Sequence, residues 1–196
     1  MTENPPPPRL AFADESGSNS QLDPDTFILA AVICSPSDVE TARDAMKALQ
    51  LIRQSKVHWR DEDDKRQTQI TAALAGAPLD HLVVVRSCYP DDKPERRRAK
   101  TMARFMVELD VLGVSHVTFE SRGPGDKADR ATLDRVRATR AIGSGLRIDH
   151  LRGRDEPLLW AADALCGTVT AARTGAPQFF GVVASRVQLI EMRAPD

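Results

Sequence analysis

The sequence predicts an α/β fold, a mixed five-stranded sheet flanked by helices, and three observations carry that reading. The chain opens with two strand-like runs separated by a short polar loop, which read as a hairpin. Strand and helix patterns then alternate, and crossovers of that kind lay later strands parallel to one another. The 196 residues, 41% hydrophobic and 28% charged, suffice for one ordinary core and exclude collagen-like, disordered and fibrous classes.

Each element has its own justification. RLAFADES (9–16) reads as a strand ending in a polar turn, and TFILAAVICS (26–35) as a nearly all-apolar strand bounded by DPD and SPS. Ser35 to Asp38 supply caps and an early Pro, after which Val39, Ala42, Met46, Leu49 and Ile52 recur at helical spacing. A second helix is expected over 61–75, with KVHWRDEDD before it as a loop. LDHLVVVRSCY (79–89) is the third strand, and Pro90 and Pro94 mark its end. The helix over 94–112 carries Met102, Phe105, Met106 and Leu109 on one face and stops at Gly113. SHVTFES is the fourth strand, 128–142 a polar helix closed by Gly143, and LRIDHLRG the fifth strand. EPLLWAADALCGTVTAART is an apolar helix begun by Pro157, followed by a short helical piece, PQFFGVV, and a closing strand, RVQLIEM.

The ends and the composition narrow the class. MTENPPPP has neither a basic nor an apolar leader region, so residues 1–8 read as a flexible polyproline-like tail before one domain over 9–196, with a cytoplasmic location expected. The longest uninterrupted apolar run, Phe27 to Cys34, is far short of the roughly 20 residues of a membrane helix, so no membrane partner is expected. Cys34, Cys88 and Cys166 stand singly, without the spacing of a zinc site or a disulfide framework. Net charge is −1, yet residues 93–154 hold fifteen Lys or Arg against eight Asp or Glu, a local +7. Such a segment is either a set of solvated helix faces or a grip for phosphate, and Arg97, Arg98, Arg104 and Arg122 are its candidate nucleic-acid contacts.

Three acids stand out by position. Asp14 closes the first strand on the face of Leu10 and Phe12, and Glu120 closes the fourth on the face of His116 and Thr118. Asp163 lies inside an apolar helix, where a lone ionised carboxylate is costly unless paired, protonated or bound to a metal. If the first and fourth strands are neighbours and the last long helix covers them, the three converge. Converging carboxylates call for a cation, and hard oxygen donors select Mg²⁺ or Mn²⁺. Two such ions would form a clamp for phosphodiester cleavage. The bland readings are a strand-terminating turn for Asp14, an exposed strand-end acid for Glu120 and a buried ion pair for Asp163.

FADESG, the VHW segment, VTFE and EPLLWAADALCG together resemble the domain-of-unknown-function 3800 family over roughly residues 9–192. The resemblance implies a ribonuclease H-like fold and a suspected metal-dependent nuclease. By position it makes Asp14 the strand-end aspartate, Glu120 the late-strand acid and Asp163 the helix aspartate, with Ala161 where the family carries leucine. Asp126 and Asp129 compete with Glu120 under a one-turn alignment shift. His58 is a candidate proton shuttle or a packed loop residue, and Glu156 a candidate fourth ligand or simply a first-turn acid. The expected partner is DNA or RNA, with a protein partner or a second copy of the chain as further options. The alternative to a nuclease is a non-catalytic ribonuclease H-like binding module, and a third reading is a hydrolase of small phosphorylated molecules.

Overall fold

The structure is a computed structural model that describes residues 8–193. The expected tail lies outside the described residues except for Pro8. Strand β1 (Arg9–Ser16) forms an antiparallel hairpin with β2 (Thr26–Cys34), and β3 (Asp80–Ser87) extends it, also antiparallel. On the other side of β1, β4 (Val114–Glu120) and β5 (Arg147–Leu151) add in parallel. The sheet has six strands rather than the expected five, in the order β5-β4-β1-β2-β3-β6. The extra strand, β6 (Val187–Met192), is the closing segment, which pairs in parallel with β3 and satisfies backbone groups that an edge would leave open.

Helices cover both faces. Alternation along β1 to β3 sends Phe12, Ile28, Ala30, Val32, Val83 and Val85 to one core and Ala11, Ala13, Leu29, Ala31, Leu82 and Val84 to the other. The first core lies under α1 (Val39–Lys47), α2 (Asp64–Gly76), α5 (Pro157–Arg173) and α6 (Gln178–Val183). The second lies under α3 (Pro94–Val111) and α4 (Asp126–Ala138). Burial on both faces explains why β2 and β3 read as continuous apolar runs. Helix α5 is apolar nearly all round because it sits on β1 and β2 and also meets α1, α2 and α6.

Two helix ends differ from expectation. Helix α1 stops at Lys47, and Ile52 is 95% exposed, because the chain leaves the helix in a turn that carries Arg53 at φ 71°. Helix α4 begins at Asp126 and ends at Ala138, short of Ile142. Gly113, at φ 72°, does end the α3 segment, in the left-handed conformation that glycine adopts without steric cost.

Candidate active site

The acids meet at the carboxyl ends of the parallel strands, the place where open α/β sheets bind ligands. β1 and β4 pair as far as Ala13 opposite Phe119, so Asp14 and Glu120 each follow the last residue paired between these two strands. Asp14 shares its sheet face with Phe12, beneath α5, and α5 brings Asp163 over the same edge. All three line one groove of about 1040 Å³, together with the 16–21 loop, Lys56, His58 and Trp59.

The groove is short of positive charge. Burial raises the Asp14 carboxyl well above the usual carboxylate range, and the negative charges of Asp163 and Glu120 raise it further against Lys56 and Arg98. Among the described residues no donor reaches its side chain, and the one side chain that bonds to the residue, the Cys166 thiol, donates to its backbone carbonyl. Burial also raises Asp163, although the Trp59 backbone N–H donates to its Oδ2 at 2.7 Å and holds it down in part. Lys56 Nζ donates to both Glu120 oxygens, at 2.8 and 3.2 Å. Burial works against its charge, but the bond to Glu120 and the nearby Asp163 and Asp14 win, so its pKa is raised.

Lys56 and His58 are presented by an anchored loop. Val57 and most of the Trp59 ring are buried in the core, with Trp59 also forming part of the groove wall, while the more exposed Lys56 and His58 face the groove, an alternation of extended backbone. The Trp59 ring lies against Gly167 of α5, where any Cβ would overlap it, and meets Phe179 edge-on at 5.3 Å between centroids. His58 Nδ1 is 3.1 Å from Asp61 Oδ2, and its Nε2 faces Asp163 Oδ1 at 3.7 Å. Glu120 lies over Gly153, where a Cβ would sit 2.5 Å from its Oε1. Lys56 was not among the candidates read from sequence, although the Lys56/His58 against Val57/Trp59 alternation was there to be read.

Other expected site residues are engaged elsewhere. Glu156, the candidate fourth ligand, caps α5 by accepting from the Leu158 N–H and takes Arg43 Nε at 3.0 Å, and it does not line the groove. Arg97 is a clasp, donating to the Asp92, Tyr89 and Pro90 carbonyls at the foot of α3. Arg98, expected on a solvated helix face away from the carboxylates, is buried. It forks onto Asp129 with two bonds of 2.8 Å and pairs with Glu15, and it lines a small cavity of about 170 Å³ that Asp14, Glu120 and Arg122 share. Arg122 also bonds Asp129, at 3.2 Å, while Arg104 pairs with Glu108 one turn along α3 and stays half exposed. Asp126 is held by Ser121 and the Arg122 N–H, and Asp129 by Arg98 and His150, so Glu120 is the acid that reaches the groove.

The donor set suits a hard divalent cation in part. Among the described residues no three His, Cys, Asp or Glu side chains cluster tightly enough to hold a metal ion. Asp14 nevertheless keeps an unpartnered carboxylate in a negative site, with Asp163 beside it. These two fit the ion, while Glu120 is engaged by Lys56.

No protein-family model and no curated protein matches the chain in sequence. Solved structures are similar in fold. The chain is similar to the RNase HII of a PCNA:RNase HII complex from Archaeoglobus fulgidus, at TM-score 0.53 and 16% identity, over 89% of this chain and 78% of that one. It is also similar to ribonuclease H2 from Pyrococcus horikoshii OT3, at TM-score 0.47 and 14% identity, over 85% and 73%. A third similarity is to Bst-RNase HIII in complex with Mn²⁺, at TM-score 0.45 and 13% identity, over 85% and 55%. The fold is ribonuclease H-like.

Proposed function

We propose that this chain is a metal-dependent nuclease of the domain-of-unknown-function 3800 kind, hydrolysing phosphodiester bonds in DNA or RNA where Asp14, Glu120 and Asp163 meet. The observation that carries the reading is Asp14, a partly buried carboxylate that no donor reaches among the described residues and that two other acids face. A group kept in that state costs stability unless something else binds it. Asp14 and Asp163 would hold Mg²⁺ or Mn²⁺, and a bound ion of this kind polarises a phosphoryl oxygen and lowers the pKa of a water. Asp61 orients the His58 ring so that Nε2 faces Asp163 across the groove, where it can take or return a proton. The open groove suits a nucleic-acid strand better than a small phosphorylated molecule, which a more enclosed pocket would hold. Arg122 at the shared rim and Arg104 on α3 are the remaining candidate phosphate contacts.

One observation favours the non-catalytic alternative: Lys56 already neutralises Glu120. Thermal denaturation with and without millimolar Mg²⁺ or Mn²⁺ separates the two readings. The nuclease reading expects a rise in melting temperature, because a ligand of the native state alone stabilises it by mass action, and expects Asp163→Asn to abolish the rise. A wild type that neither shifts with metal nor cleaves single- or double-stranded DNA or RNA would leave the binding-module reading.

A further inference from the structure

Resting on the nuclease reading, we propose that the groove takes a single divalent cation, on Asp14 and Asp163, and that the Lys56 ammonium held by Glu120 replaces the second ion of a two-ion clamp. The first ground is the supply of donors. Both Glu120 oxygens are spent on Lys56 Nζ. The other acids near the strand ends are spent too, Glu15 on Arg98 and Arg122, Asp129 on Arg98 and His150, and Glu156 on Arg43. Asp64 also lines the groove but is exposed at the start of α2, so among the described residues Asp14 and Asp163 are the acids that face one another with oxygens unspent, a pair of carboxylates that suits one hard cation whose remaining positions water fills.

The second ground is charge. Five carboxylates line the groove, but Glu15 is paired with Arg98 and Arg122 and Asp64 is exposed at the start of α2; for the three that face one another, Asp14, Asp163 and Glu120, one divalent ion with one ammonium balances the charge. A second divalent ion beside Lys56 would leave a partly buried site strongly positive, with two cations competing for Glu120.

The third ground is that Lys56 is built in. Its neighbour Val57 is buried, Trp59 is locked against Gly167, and the Trp59 N–H holds Asp163, so one loop fixes both the ammonium and one of the proposed ligands. Gly153 backs Glu120 so closely that the carboxylate has little room to retreat from Lys56. A fixed ammonium facing the groove can stabilise negative charge developing on a phosphoryl group there, as preorganised charge does in other sites.

The test is the number of ions bound. Calorimetric titration of the full chain with Mn²⁺, paired with electron paramagnetic resonance of the bound ion, should give one Mn²⁺ per chain with an uncoupled spectrum. Lys56→Met should admit a second ion, seen as a stoichiometry of two and a spin-coupled signal. Should that variant fail to fold, Glu120→Gln and Asp14→Asn decide: binding of one ion should survive in Glu120→Gln and be lost in Asp14→Asn. Two ions in the wild type, one ion in folded Lys56→Met, or equal loss in Glu120→Gln and Asp14→Asn would each overturn the single-ion proposal and leave the nuclease reading standing. No ion in the wild type would overturn both.

Discussion

Two charge clusters lie back to back at the carboxyl end of β1, and they are opposite in kind. Asp14 and Glu15 are adjacent, so strand alternation sends one to each side. On the α5 side Asp14, Asp163 and Glu120 face a single ammonium, and burial with mutual repulsion raises Asp14. On the α3 and α4 side Glu15 and Asp129 meet Arg98, Arg122 and His150. Burial works against the Asp129 charge there too, but bonds from Arg98 and His150 outweigh it and hold the carboxyl well below its usual range. A buried charge that the protein itself satisfies acts as structure, and one that it leaves unsatisfied is poised for a ligand.

The sharpest way to break this contrast is to remove one charge from each side. Arg98→Met takes two of its bonds from Asp129 and the buried cation from Glu15, leaving Arg122 and His150 to hold them, and losing one member of a buried pair costs about 3–5 kcal/mol. Asp14→Asn removes a repelled charge, so without metal its unfolding midpoint in urea should stay level or rise. The wild type should also lose stability as pH climbs from the unfolded carboxylate value near 3.8 through the raised Asp14 pKa, since a raised folded pKa favours the native state only at lower pH. Asp14→Asn should remove that fall. Equal destabilisation by the two substitutions would show that the Asp14 side is also a structural network.

His81 tests whether lack of a partner by itself marks function. Both ring nitrogens are buried without a hydrogen-bond partner among the described residues, at the end of β3 opposite the groove. Burial lowers its pKa from 6.5 to about 4, with Asp80 opposing and Arg186 adding to the shift. A folded pKa below the unfolded one means stability present above pH 6.5 and lost as pH falls towards about 4, on the order of 3 kcal/mol in all. Asp14 acts with the opposite sign at low pH, so His81→Leu and wild type are compared at each pH by urea unfolding. His81→Leu should flatten the acid loss and leave metal binding unchanged. A changed metal affinity would mean that the two ends of the sheet are coupled.

The strands and the sheet face of Asp14 were legible because both depend on local period. Apolar runs set β2 and β3 and alternation put Asp14 on the face of Leu10 and Phe12, while the pairing of β1 with β4 and the helix above them, on which the convergence was conditional, are supplied by the structure. Partners distant in sequence were not legible. Nothing in PERRRAK says that Arg98 turns inward to Asp129 while Arg97 clasps a loop, since adjacent helix residues differ by only about 100° of rotation. Glu156 was placed correctly at a helix start, but Arg43 of α1, which takes its charge, is 113 residues away. The sixth strand was visible as a segment, and its place in the sheet depended on the free edge of β3.

The smallest expected effect concerns the basic segment, whose local +7 suggested a grip for phosphate. Two of its three α3 candidates are consumed inside the protein, which leaves Arg104 paired only with Glu108 on the same helix and half exposed. A pair of that kind contributes a few tenths of a kcal/mol, so Arg104→Ala should change stability by less than about 0.5 kcal/mol. If Arg104 contacts a nucleic-acid backbone, it neutralises at most one phosphate, and the slope of log affinity against log salt should flatten by about 0.9 for a duplex. Filter binding of single- and double-stranded DNA and RNA across a salt series, with Ca²⁺ in place of Mg²⁺, measures that slope. Arg97→Ala is the contrasting variant: it opens the clasp on the Tyr89 and Pro90 carbonyls and should lower the melting temperature before it changes any slope. A flattened slope in both variants at unchanged stability would place α3 against the nucleic acid, and an unchanged slope in Arg104→Ala would confine phosphate contact to the groove and to Arg122 at its rim.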